Sequence, residues 1–269
     1  MSAESREYLR STFEQVPELY DRARPGYPAP LFDELAVVAE LPVAARIVEV
    51  GCGTGQATIA LAERGYQVTS VELGERLAAI ARRKLAAFPG VEVINADFET
   101  WQAPHAEFDA VVAFTSFHWI DPVLRFEKAA ALLRDGGALA VAEIEHVLLP
   151  DGDPIFVEMQ EDYGAVLPDV KAEGPRHPDD VGDLCAEIEA SGFFQNALSR
   201  RFLWDVIYTA DAYIAVLETY SPHRALDDAT RRRLHDRIRV RIERRSERTV
   251  RKTYLATLNV ARSRLAAVG

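Results

Sequence analysis

An α/β protein built on a mostly parallel sheet is what this sequence predicts, and three observations carry the prediction. Over residues 30–144, short β-branched runs alternate with longer segments of helical periodicity, the pattern of strands joined by crossover helices. Most of those runs are apolar on consecutive positions, as befits strands covered by helices on both faces. The first of them enters a loop with three glycines in five residues, Gly51, Gly53 and Gly55, where a strand hands over to a helix N-terminus.

In order along the chain, strands are expected at 46–50 (RIVEV), 67–72 (QVTSVE), 91–96 (VEVINA), 109–115 (DAVVAFT) and 137–143 (GALAVAE), five in all and parallel. Between them, residues 56–64, 75–87 and 122–133 space apolar side chains by three and four, as Leu77, Ile80, Ala81 and Leu85 do, and read as crossover helices. After Glu143 the alternation stops. Residues 146–178 are rich in Pro, Gly and Asp around one helical stretch, 154–166, and read as an inserted cap. Helix resumes at 179–190 and stops at Gly192, a residue suited to the left-handed position that ends a helix. A strand-like stretch follows at 198–208, then helical segments at 210–220 and 227–246 and a last strand candidate at 253–260. The expected organisation is an N-terminal segment 1–29, a core 30–145, the cap 146–178 and a C-terminal completion of the core, 179–269.

Composition narrows the function classes. The chain has 269 residues, 48% of them hydrophobic and 27% charged, ample for a packed core. Its net charge of −11 repels a phosphate backbone, so nucleic acid is not the expected partner. Charge is uneven, however: residues 221–269 carry a net +9 and everything before them −20. Leu234, Ile238 and Ile242 form a stripe beneath the arginines, which makes a solvated helix face the simplest account of that run. Cys52 and Cys185 are the only cysteines and imply no disulfide framework. The start, MSAESREYLR, lacks the apolar stretch of a secretory signal, and the longest uncharged run, 50–62, is too short for a membrane helix. A cytoplasmic protein without a membrane partner is expected.

The glycine loop reads Glu49-Val50-Gly51-Cys52-Gly53-Thr54-Gly55. Glycine here permits φ > 0 and lets a ligand approach the backbone closely; the alternative is a tight turn with no ligand. A dinucleotide fingerprint would need glycine where Gln56 stands, and a P-loop a Lys-Ser or Lys-Thr pair that Gln56-Ala57-Thr58 lacks. NAD, FAD and nucleoside triphosphates are thereby disfavoured. The second strand ends in Val71-Glu72-Leu73, placing a carboxylate 21 residues after Gly51 at the sheet's carboxyl edge, where an acid can accept both hydroxyls of a ribose. The third leads to Asn95-Ala96-Asp97-Phe98, an acid and an aromatic suited to hydrogen-bonding and packing an adenine. Both acids fall in the crevice where ligands of such sheets bind.

Together these residues resemble the class I S-adenosylmethionine-dependent methyltransferases. Glu49 to Gly55 matches that family's E/D-x-G-x-G-x-G loop, Glu72 followed by Leu73 its ribose-binding acid, and Asp97-Phe98 its adenine-contacting pair. Residues 109–115, ending in Thr115, resemble the strand that lines the methyl-transfer site, and Arg134-Asp135-Gly136-Gly137 the turn before the fifth strand. The resemblance spans roughly residues 30–262. It implies S-adenosyl-L-methionine as cofactor and a Rossmann-like three-layer sandwich whose sheet has seven strands, with 198–208 and 253–260 as the sixth and seventh and the last antiparallel.

Within the family, Tyr20-Asp21-Arg22-Ala23-Arg24-Pro25-Gly26-Tyr27-Pro28 and Phe117-His118-Trp119-Ile120-Asp121 are similar to a group of small-molecule methyltransferases that includes trans-aconitate methyltransferase. In such folds the segment before the first strand covers the cofactor, which makes Tyr20 and Arg24 candidates for its methionine end; a Pro-rich surface loop is the alternative. Methyl transfer from a sulfonium needs mainly alignment of donor and acceptor at about 3–3.5 Å. A base matters only where the acceptor is a hydroxyl, amine or carbon acid. His118 is the candidate for that role, the alternative being an imidazole bonded within a turn beside Trp119. No metal is expected. The acceptor is expected to be a small organic O-, N- or C-nucleophile, or a carboxylate if Arg24 and arginines of 231–251 face the site. A protein of the same fold that binds the cofactor without transferring a methyl is the second reading. Nucleic-acid methylation has only the basic tail in its favour, for Thr115-Ser116-Phe117-His118 stands where an N-P-P-Y tetrapeptide would be.

Overall fold

A computed structural model, which describes residues 4, 6, 8, 9, 12–103, 107–170 and 174–264, places strands at Arg46–Val50 (β1), Gln67–Glu72 (β2), Val91–Asn95 (β3), Phe108–Phe114 (β4), Leu133–Val147 (β5), Phe194–Thr209 (β6) and Thr249–Ser263 (β7). They form one sheet in the order β3-β2-β1-β4-β5-β7-β6. β1 to β5 pair in parallel, while β7 runs antiparallel between β5 and β6. This is the expected seven-stranded Rossmann-like architecture with its last strand reversed. Strand order turns back between β1 and β4, so the carboxyl ends of these strands diverge and leave a crevice.

Consecutive apolar residues in β1 and β4 serve two cores because successive side chains leave opposite faces of a strand. Ile47, Ala110 and Val112 pack with Leu31, Leu35 and Leu61 on one face. Val48, Val50 and Val111 pack with Phe117, Phe126 and Leu132 on the other. The helix Glu75–Leu85 buries Leu77, Ile80, Ala81 and Leu85 and ends in Arg82, Arg83 and Lys84, which complement the negative end of its dipole. Its first turn is capped from outside: Arg76 N and Leu77 N donate to the Glu14 carboxylate at 3.0 and 3.1 Å. Lys84 pairs with Asp21 at 2.6 Å. The N-terminal segment is thereby fixed across the carboxyl edge of the sheet.

Several boundaries differ from expectation. Helices Pro17–Ala23 and Ala29–Val38 precede β1; proline in the first turn starts each, and Leu31, Phe32 and Leu35 bury the second. The helix expected at 179–190 begins only at Cys185, because Leu184 N is drawn to Asn259 Oδ1 at 3.1 Å and Gly182 interrupts the run. Between Phe108 and Ala110 the β4–β5 register shifts, so that 134–137 bulge out with Gly136 at φ 70°. β5, β6 and β7 all run longer than expected.

Those extensions support a second lobe. The insertion helix Ile155–Val166 packs with Ala210–Leu217 and Asp228–Glu243 over Tyr208, Val250 and Tyr254 in a third core, where Leu234, Ile238 and Ile242 are all fully buried. Arginines on the flanks of Asp228–Glu243 and just beyond it pair with acids: Arg237 and Arg241 with Asp162, Arg239 with Asp211, Arg245 with Asp153, Arg251 with Asp205, and Arg231 with Glu218. Three of these pairs reach acids of 146–178, and the other three reach Asp205, Asp211 and Glu218 in and after β6. None of these arginines lines either of the two cavities beside the glycine loop. Among the described residues no helix is long and apolar enough to cross a membrane.

Candidate active site

β1 delivers the glycine loop to the crevice, and its three glycines, all at positive φ, stand there for different reasons. A Cβ on Gly51 would lie 2.8 Å from Ser116 Cβ, so this glycine lets β1 and the segment after β4 close up. Gly55 begins the helix Gln56–Glu63 and faces Leu85, where a Cβ would come within 3.1 Å. Gly53 also lies on the cleft, and a Cβ there would stand 3.5 Å from the Tyr20 ring.

Glu72 ends β2 and is 6% exposed. Its Oε2 accepts from Gly53 N at 2.7 Å and its Oε1 from Gly74 N at 2.8 Å. Two backbone donors thus orient the carboxylate, and each oxygen can accept a further bond. Asn95 Nδ2 donates to the carbonyls of Glu72 and Leu73 at 2.9 and 2.8 Å, holding the ends of β2 and β3 together. Asp97 accepts from Glu99 N at 3.0 Å, and Phe98 is buried beside it.

These residues line a cleft of about 330 Å³ together with Phe13, Tyr20, Val71, Leu73, Trp119 and Ile120. Of the residues singled out from sequence, Tyr20, Gly51, Gly53, Glu72, Leu73, Asp97, Phe98 and Thr115 come together on it. Three other cofactor candidates do not. Gly55 serves helix packing, and Arg24 lies in the neighbouring cavity. Glu49 is buried behind the loop, where its Oε2 accepts from Thr58 Oγ1 at 2.6 Å and Ser70 Oγ at 3.0 Å. Its Oε1 has no partner, and burial pushes its carboxyl up to about 7 despite those two bonds.

A second cavity, of about 520 Å³, adjoins the first; Phe13, Tyr20, Thr115 and Trp119 line both. Phe13 meets Tyr20 and Trp119 edge to face, with centroids 5.9 and 5.6 Å apart. Thr115 stands on the shared wall at φ 55°, a strained conformation for a β-branched residue. It is held there by its N–H to Ala142 O at 2.7 Å and by a side-chain hydrogen bond with the Tyr27 hydroxyl at 2.9 Å.

His118 lines the second cavity with Nδ1 3.1 Å from Glu143 Oε1. Opposing elements contribute Arg24, Tyr220 and Lys252. Of these only Arg24 was singled out from sequence. Lys252 carries only a weak signal in hindsight, as the last of two adjacent cations before the apolar stretch Tyr254-Leu255-Ala256. Phe13, Glu143 and Tyr220 carry none, because the fold gathers them from distant segments. Among the described residues no three His, Cys, Asp or Glu side chains gather as a metal-ligating group.

Comparison with known proteins agrees with this geometry. Residues 47–137 match a family model described as a methyltransferase domain. An uncharacterized methyltransferase of Mycobacterium tuberculosis is 31% identical over 164 residues, 56% of this chain and 64% of that protein. A trans-aconitate 2-methyltransferase of Acidovorax sp. is 34% identical over 128 residues, 46% of this chain and 48% of that protein. The matches thus span less than two thirds of either relative. Among solved structures, a candidate type II methyltransferase from Anaeromyxobacter dehalogenans superposes with a TM-score of 0.64 at 25% identity, over 89% of this chain and 97% of that one.

Proposed function

We propose that this chain, a class I S-adenosylmethionine-dependent methyltransferase by its domain and fold, binds S-adenosylmethionine in the 330 Å³ cleft and methylates a small organic molecule held in the 520 Å³ cavity. The observation that carries this reading is the wall shared by the two spaces, formed by Phe13, Tyr20, Thr115 and Trp119. When bound, the cofactor supplies a methyl group already activated by its sulfonium.

The residues present fit that ligand. Glu72, oriented by Gly53 N and Gly74 N, has acceptor capacity for the ribose hydroxyls. Leu73, Phe98 and Ile120 offer apolar surface to the adenine and Asp97 a hydrogen-bonding edge. Gly51 and Gly53 leave the backbone bare, and Tyr20 covers it from the N-terminal segment. The aromatic group Phe13, Tyr20 and Trp119 keeps water from the junction, where alignment provides most of the acceleration.

For an acceptor that must lose a proton, His118 is the base in this reading. Nδ1–H donates to Glu143, which fixes the tautomer and leaves the Nε2 lone pair to take a proton from an O–H or N–H. Cys52 and Cys185 are both free thiols, which suits a reducing compartment such as the cytoplasm. The test is calorimetry with S-adenosylhomocysteine, followed by transfer of label from methyl-labelled S-adenosylmethionine into a pooled metabolite extract. Binding and labelled product are expected. Binding without any labelled product would replace this reading with a cofactor-binding protein that transfers no methyl.

A further inference from the structure

Two cations, Arg24 and Lys252, face the second cavity. Lys252 is 2% exposed. Its Nζ lies 3.0 Å from the Tyr220 hydroxyl and over the rings of Tyr213, Tyr220 and Tyr254, at 5.6, 5.0 and 4.8 Å from their centroids. Arg24 donates to Thr219 O at 2.9 Å, while its Nε is buried with no partner. Its guanidinium also lies over the Tyr220 ring, at 4.5 Å. Among the described residues neither cation forms an ion pair, in contrast to the arginines of the tail. An ammonium needs an anion when it is taken out of water. Aromatic faces offset part of that demand, but an ammonium has three N–H donors and Tyr220 meets one of them.

The local potential is positive enough to act on a neighbour. Burial would push the Tyr220 phenol up, yet the charges of Lys252 and Arg24 outweigh it and hold the phenol below its usual range. Glu143, the acid that shares this cavity, is engaged by His118.

A third space, of about 660 Å³, continues from the cavity past His146, Tyr163, Tyr213 and His223, which line both. Phe156, Met159, Leu167, Leu226 and Leu234 give it apolar walls, and Gln160 and the Arg176–Glu145 ion pair also line it. The imidazoles at the throat are held neutral, His223 down to about 3 by burial and then by the nearby His235 and Lys252, and His146 also far below its ordinary value by burial and Lys252. A cationic cavity thus adjoins, across an uncharged boundary, a space whose walls are largely apolar and whose one charged pair is internally neutralised.

Resting on the reading of the chain as a methyltransferase, we propose that its acceptor is an amphiphilic carboxylic acid, with the carboxylate held by Arg24 and Lys252 and the apolar body directed past His146 and His223 into the third space. The carboxylate is the handle in this arrangement. It leaves the nucleophilic atom to face His118 and the shared wall.

Calorimetry on protein saturated with S-adenosylhomocysteine tests the proposal, using straight-chain carboxylic acids of roughly four to ten carbons and the primary amides of equal length as probes. Acids are expected to bind at least about tenfold tighter than the matching amides, with affinity rising about fourfold per methylene while the body lengthens into the chamber. Lys252→Gln and Arg24→Gln should each remove about tenfold or more of the acid's affinity, Lys252→Gln should leave S-adenosylhomocysteine binding unchanged, and Lys252→Arg should restore most of the acid's affinity. If Lys252→Gln fails to fold, Arg24→Gln and the acid–amide comparison in the unaltered protein still decide. Equal affinity for acids and amides, no dependence on chain length, or tighter binding of alkyl phosphates would overturn the proposal while leaving the methyltransferase reading intact. Failure to bind S-adenosylhomocysteine at all would instead remove the reading on which it rests.

Discussion

Replacing Glu49 by Gln should stabilise the protein above pH 7 and leave it nearly unchanged at pH 5. The side chain is fully enclosed, with one oxygen bonded to Thr58 and Ser70 and the other without a partner. Burial raises its carboxyl from 4.5 to about 7. In the unfolded chain the group ionises near 4.5, so between 4.5 and about 7 the folded state holds a proton that the unfolded state has lost. Stability from this group is fully present below pH 4.5 and is lost as pH rises through about 7. At about 1.4 kcal/mol for each tenfold change in proton affinity, the loss comes to about 3 kcal/mol. Glutamine reproduces the neutral acid: its oxygen can accept from Thr58 and Ser70, and its amide carries no charge to bury. Thermal unfolding without cofactor should therefore show Glu49→Gln melting roughly 6–12 °C above the unaltered protein at pH 8, with little difference at pH 5. Equal displacement at both pH values would refute the reasoning, because it would mean that Glu49 keeps one protonation state throughout.

Other predictions follow from the same geometry. Glu72→Ala should weaken S-adenosylhomocysteine binding at least tenfold by calorimetry, and unchanged affinity would remove Glu72 from the cofactor site. Gly53→Val should abolish binding by filling the space before Tyr20. Because Gly53 sits at φ 58°, that variant should also melt earlier, by about 1–3 kcal/mol of stability, and retained binding would place the ligand elsewhere. His118→Ala should lower turnover by about 10²–10⁴ with cofactor affinity nearly unchanged, and Glu143→Gln should lower it less; full turnover in both would return the pair to a structural role. His146, His223 and His235 are held below their ordinary range, chiefly by burial. They contribute stability that is present above about pH 6.5 and lost as pH falls toward their folded values. Urea midpoints of the Glu49→Gln variant, free of the opposing Glu49 effect, should drop steadily below pH 6.5, and a flat profile to pH 5 would contradict their neutrality.

The cofactor half of the site was legible because its signals are local. A strand, a glycine loop and an acid at the end of the next strand are each set by a few adjacent residues, and the parallel topology then brings Gly53, Glu72, Asp97 and Thr115 to one cleft. Even here sequence could not divide the labour within the motif. Gly55 answers Leu85 and Gly51 answers Ser116, both contacts made across the fold, and Glu49 turns away from the cleft toward Thr58 and Ser70. The acceptor half was largely illegible for the opposite reason. Arg24 comes from the segment before the sheet, His118 from the turn after β4, Glu143 from β5, Tyr220 from the link between two helices and Lys252 from β7. No spacing rule joins them. The reading of the basic tail as a helix face above an apolar stripe holds for Leu234, Ile238 and Ile242, with arginines engaged by Asp153, Asp162 and Glu218; the residue that faces the cavity is the lysine next to Arg251, buried more deeply than they are.

This division has a consequence for how substitutions should act. The lobe that carries Tyr220, Lys252 and the apolar chamber has its own core around Leu234, Ile238 and Tyr254 and its own ion pairs. Changes within it can alter what the second cavity accepts while leaving the ends of β1 to β4 undisturbed. Changes to the glycine loop or Glu72 act on the other cleft alone. The shared wall of Phe13, Tyr20, Thr115 and Trp119 belongs to both, and within it the strained backbone of Thr115 is fixed by Ala142 on β5 and by Tyr27 from the segment before the sheet. Tyr27→Phe removes one of those restraints while keeping the ring that lines the second cavity. It should therefore loosen the junction where donor and acceptor must align, lowering turnover more than it weakens the binding of either ligand.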